Sequence, residues 1–110
     1  MPGTNNAIGS LIYNVTTMVA TDIAPAWVQW MQEEHLPDLM QTGCFTGYKM
    51  VRLLEVDESE GLTYAVQYFL NDLLAYDRYL REHSAAFRQH SIDKWGDKVI
   101  AFRSLMEVIN

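Results

Sequence analysis

The stretch FTGYKMVRLLEVDESEGLTYAVQYFL, residues 45–70, is two strand-like runs around a polar turn. Phe45–Glu55 and Leu62–Leu70 are rich in aromatic and β-branched residues, which suit a pleated, half-buried surface. Between them VDESEG holds acidic and small residues ending in Gly61, the composition of a hairpin loop. A hairpin at the centre of a short chain makes the flanking segments decide the architecture.

Working outward, each side of the hairpin holds one helix and one strand. Upstream, Leu11–Val19 (LIYNVTTMV) is a strand. Thr21 or Asp22 then offers an N-cap, and Pro25 fits the first turn, where its missing N–H is an orphan in any case. Ile23, Trp27, Trp30 and Met31 recur at helical spacing. Pro37 removes a hydrogen bond and crowds the carbonyl of Glu33, so the helix kinks or ends near His35. A last turn over residues 37–41 closes at Gly43.

Downstream, Asn71 or Asp72 caps a second helix with an apolar stripe of Leu73, Tyr76, Leu80, His83 and Phe87. Asp77/Arg81 and Arg78/Glu82 are spaced to pair on its outer surface. Gly96 ends it, and Lys98–Ile109 is the last strand. The order is βαββαβ. That predicts an α+β, ferredoxin-like domain over residues 11–110, a four-stranded antiparallel sheet with both helices on one face. Residues 1–10 read as a flexible lead-in.

Alternation divides each strand between two faces. One set, including Tyr13, Val15, Val51, Leu53, Tyr64, Val66, Tyr68, Ile100, Phe102 and Met106, is apolar and belongs under the helices. The other includes Asn14, Tyr48, Arg52, Gln67 and Arg103 beside Ile12, Met18, Met50, Leu54, Phe69 and Leu105. So many apolar groups on an uncovered sheet would exceed the patch a monomer usually exposes. A second copy of the chain is the simplest cover, giving a homodimer with its sheets face to face. Asn14, Tyr48, Arg52, Gln67 and Arg103 are the candidate ligand-binding residues. Arg52 and Arg103 either pair with Glu107 or a partner carboxylate, or face an anionic or carbonyl-bearing small molecule.

His35 is the candidate catalytic residue. It lies two positions before Pro37, where carbonyls are left unpaired. There it serves either as a structural donor at the kink or as an acid or base titrating near neutrality. Glu33, Glu34, His35 and Asp38 lack a metal-ligand spacing, so no metal is expected. Trp27 and Trp30 continue a core stripe, and Cys44 reads as a small buried filler. No phosphate-binding glycine loop or nucleophile elbow occurs, so no nucleotide cofactor is expected.

Composition narrows the classes further. The chain has 110 residues, 49% of them apolar and 20% charged, which is globular composition. A net charge of −6 and a pI near 4.8 argue against nucleic acid or anionic membrane as partners. One cysteine excludes an internal disulfide framework. Neither a secretory leader nor a membrane-length apolar run is read, and the expected setting is the cytoplasm.

Taken together, LIYNVT, WVQWMQEEHLPDLM, TGCFTGYKMVRLL, LTYAVQYF, YDRYLREH and VIAFRSLMEV resemble a family of small bacterial proteins known as a domain of unknown function. The resemblance covers residues 11–109. That family is similar in fold to the dimeric α+β barrel superfamily, which includes antibiotic-biosynthesis-type monooxygenases, EthD-like proteins and stress-responsive A/B barrel proteins. The resemblance implies a homodimer and a small organic ligand held between sheet and helices, often without metal or organic cofactor. His35 matches, by position, the histidine or polar residues that active members use. Two alternatives stay open: a cofactor-independent oxygenase or isomerase using His35, and an oligomerisation module without a ligand.

Overall fold

The computed structural model describes residues 9–110. Most of the expected lead-in, residues 1–8, lies outside the described residues. Strand β1 is Leu11–Val19, helix α1 Ala24–Trp30 and α2 Leu36–Gln41, the last two joined by a π turn over Met31–His35. The hairpin is β2, Gly47–Arg52, and β3, Leu62–Leu70. Helices α3, Leu73–Glu82, and α4, Ser84–Trp95, then lead to β4, Val99–Glu107. The strands form one antiparallel sheet in the order β2-β3-β1-β4, which is the ferredoxin-like arrangement.

β1 and β3 have the bounds their residue types predict. β2 is shorter, because Phe45 leaves the strand to enter the core. Its ring stacks with Tyr13 at 6.5 Å and packs on Tyr68 and Tyr79 at 5.1 and 4.9 Å. Thr46 N–H still reaches the carbonyl of Phe69, at 2.8 Å, so pairing outlasts the strand. Asp72 caps α3 by accepting from Ala75 N–H at 2.9 Å.

The second helix is two helices, broken at His83, whose φ of −130° is not helical. Ser84 opens α4 with its hydroxyl on the carbonyl of Leu80, at 3.0 Å. Tyr76, Tyr79 and Phe87 face inward, while Leu73 of the expected stripe is 63% exposed. Of the two expected pairs, Asp77 holds Arg81 at 3.0 Å, whereas Arg78 turns to the carbonyl of Thr42. Gly96, at φ +60°, ends α4 as its freedom at positive φ allows.

Register corrects the expected faces of two strands. Val15 lies opposite Val66 on one side and Arg103 on the other, and Tyr68 lies opposite Tyr13 and Tyr48. Residues opposite one another share a face, so Tyr48, Met50, Arg52, Arg103 and Leu105 belong to the helix side. Val51, Ile100, Phe102 and Met106 lie on the other. A shift of one residue moves every side chain to the opposite face. In β4 both faces are apolar enough that alternation alone has no anchor.

The core lies between the helices and the face of Tyr13, Val66 and Tyr68, with Val19, Leu36, Leu39 and Leu70 fully buried. The opposite face carries Phe102, 67% exposed, and Ile100, 47% exposed, on one edge strand and Val51 on the other. The second face is mixed, as expected, with Ile12, Met18 and Phe69 beside Asn14 and Gln67, while the residues that β2 and β4 contribute to it are exchanged.

Candidate functional site

The site begins with the proline. Pro37 has no N–H to continue the α-helical ladder. The turn before it widens, and Leu36 N–H bonds the carbonyl of Met31 five residues back. Buried Met31 and Leu36 are also five apart, so the widened turn keeps the apolar stripe in phase. Single π turns of this kind recur at functional sites.

The extra residue directs His35 inward. Its ring lies 4.7 Å from that of Trp30 at 30°, and 5.6 Å from Phe87 at 89°. Nδ1 is buried and has no hydrogen-bond partner among the described residues. Burial holds the imidazole pKa at about 4; Asp38 opposes the shift, while His90 and Arg103 add to it. His35 is therefore neutral near pH 7. The alternative of a donor to a freed carbonyl at the kink has no counterpart at Nδ1.

His35 opens onto a cleft of about 60 Å3 between helices and sheet. A water needs roughly 10–15 Å3 of such space, so the cleft has room for a few waters or a small organic group. Tyr68 and Tyr79 come from β3 and α3, Arg88 and Ser91 from α4, and Arg103 from β4. Trp27, Trp30 and Phe87 give it aromatic walls. Burial raises the phenol pKa of Tyr68 and Tyr79 well above the ordinary tyrosine value. Both remain protonated and able to donate.

Of the six residues expected at a site, the cleft brings together His35 and Arg103. Tyr48 is on the same sheet face but on edge strand β2, and does not line the cleft. Arg52 lies further along that edge and pairs with Glu58 at 2.8 Å, not with Glu107. Asn14 and Gln67 lie opposite each other on the far face, where Asn14 Nδ2 donates to Thr16 Oγ1 at 3.0 Å. The expected alignment of Tyr48, Arg52, Gln67 and Arg103 on one face is therefore not found. Gln67 is on the other side of the sheet. Arg103 has no carboxylate within ion-pair distance among the described residues.

Tyr68, Tyr79, Arg88 and Ser91 were not among the expected residues. Helical spacing signals two of them: Tyr79 and Ser91 lie with Phe87 on the inward face continued from Tyr76. A second groove of about 190 Å3 also borders Trp30, between Glu33, Glu34 and Lys94. It is larger, but its polar lining is exposed and carries charge of both signs. No helix among the described residues is long and apolar enough to cross a membrane.

A ferredoxin-like α+β sheet with a cleft under its helices is the class these observations define. Within it, the chain belongs to the family described as a domain of unknown function, DUF4286, whose model matches residues 10–109. Among curated proteins none matches. Two solved structures share the fold. A dimeric ferredoxin-like protein from an uncultured marine organism has a TM-score of 0.64 at 11% identity, covering 91% of this chain and 95% of its own. An ethyl tert-butyl ether D (EthD) family protein from Bacillus halodurans C-125 has a TM-score of 0.66 at 10% identity, covering 90% and 99%.

Proposed function

We propose that the chain works as a cytoplasmic homodimer that binds a small organic molecule in the cleft between sheet and helices. One observation carries the ligand reading. A π turn in the first helical segment and an edge strand more than sixty residues later direct His35 and Arg103 to the same cleft. His35 Nδ1 and Arg103 both lack a partner there: Nδ1 has no hydrogen bond and Arg103 no ion pair among the described residues. Convergent polar groups in an otherwise aromatic pocket are the usual form of a ligand site.

The dimer reading is supported by exposed Phe102, Ile100 and Val51 on the helix-free face, and by a similar structure that is itself dimeric. A second copy laid sheet to sheet would cover that face on both chains at once.

A second reading is a cofactor-independent enzyme of the oxygenase or isomerase type. It is favoured by the unpartnered, buried Nδ1 of a neutral imidazole, the state a general base requires. In that reading Arg103 would meet negative charge developing on the substrate.

Native mass spectrometry of protein purified from its own host tests the proposal. A dimer carrying extra small-molecule mass is expected. A dimer of bare chains that also binds nothing from a metabolite panel would leave an oligomerisation module in its place.

A further inference from the structure

The charge of the cleft is opposite to that of the chain. The protein carries 14 acidic and 8 basic residues. Yet the charged side chains lining the cleft are Arg88 and Arg103, with no aspartate or glutamate beside them. Neither arginine has an ion-pair partner among the described residues, although Arg52, Arg81 and Lys98 all do. Unpaired guanidinium groups beside an aromatic cavity are poised for an anion, which arginine can grip with two parallel hydrogen bonds.

Building on the reading of the cleft as a ligand site, we propose that its ligand is a small organic carboxylate. The charged end meets Arg103, and the apolar body lies against Trp27, Trp30 and Phe87. The protonated phenols of Tyr68 and Tyr79 supply further donors, and neutral His35 adds no second fixed charge. A monoanion fits better than inorganic phosphate. A bare dianion would leave the aromatic walls unused and would lose more hydration in so apolar a space.

The proposal is tested by calorimetric titration of the intact protein with acetate, butyrate and benzoate, each against its neutral amide, and with inorganic phosphate. At least one carboxylate is expected to bind tenfold or more tightly than its own amide. R103Q should abolish that preference, and R103K should keep part of it, since charge remains without the planar fork. Arg103 is exposed, so both variants are expected to melt with the parent. Should R103Q fail to fold, R103K and R88Q carry the comparison.

Equal binding of acid and amide, an unchanged preference in R103Q, or phosphate displacing every carboxylate would each overturn the proposal. If no carboxylate binds but the purified protein retains a neutral molecule, the carboxylate inference fails and the ligand reading stands. If nothing is retained or bound, both fail.

Discussion

The imidazole of His35 lies 4.7 Å from the indole ring of Trp30, inclined at 30°. Two rings from one helical segment can meet so closely because the π turn begins immediately after Trp30. The stack removes water from one side of the imidazole, and Phe87 meets it edge-on. Protonation then has to proceed against burial, which is the largest cause of the depressed pKa.

That depression makes folding sensitive to acid with a defined sign. His35 titrates near 6.5 in an unfolded chain and at about 4 in the fold. The unfolded state therefore binds the proton more tightly. The stability it supports is fully present above pH 6.5 and is lost as pH falls toward 4, by at most about 3 kcal/mol. His35→Phe keeps an aromatic ring beside Trp30 and cannot titrate. Urea midpoints at pH 7 and 4.5 should fall further for the parent than for this variant. Equal falls would remove His35 as the cause.

Phe102 is 67% exposed on the helix-free face. Replacing it by aspartate should leave the single chain folded while placing two like charges in a sheet-to-sheet interface. Light scattering coupled to gel filtration is expected to give a dimer for the parent and a monomer for Phe102→Asp, with unchanged far-ultraviolet circular dichroism. A dimer that survives the change locates the interface elsewhere.

Leu36 is fully buried at the start of α2, directly before Pro37. Leu36→Ala should cost about 2–5 kcal/mol, the range for emptying a packed leucine site. Chemical denaturation reads this directly. A loss well below 1 kcal/mol would mean that α2 contributes little to the core.

Gly61 ends the hairpin loop where the chain passes close to β1. A Cβ there would lie 2.5 Å from the carbonyl oxygen of Val19, too close for any side chain. Gly61→Ala should therefore destabilise by about 1–3 kcal/mol through a forced backbone shift. The same substitution at Gly96 meets open space and is resisted only by its positive φ. Thermal melts of the two variants should rank Gly61→Ala as the less stable.

The elements were legible because their signals were local. LIYNVTTMV and LTYAVQYFL are dense in strand-forming residues and bounded by turn chemistry, so β1 and β3 begin and end as read. The kink near His35 follows from Pro37 alone. What alternation could not supply was phase in β2 and β4. With Ile100 and Phe102 on one side and Val99 and Leu105 on the other, β4 looks alike from both faces. Only pairing with β1 decides between them. Arg103 was thus expected between two sheets and lies instead under the helices, beside His35. No glycine or proline announces the break at His83, so the two helices read as one.

A strand that is apolar on both sides could dock against β1 in either of two phases with similar burial. Arg103 makes those phases unequal. In the observed pairing, opposite Val15, its guanidinium reaches the open cleft. One step out of register, it would project from the face of the sheet that Phe102 now occupies, away from the cleft. A residue placed to meet a ligand thereby also favours one of the two alignments open to the last strand.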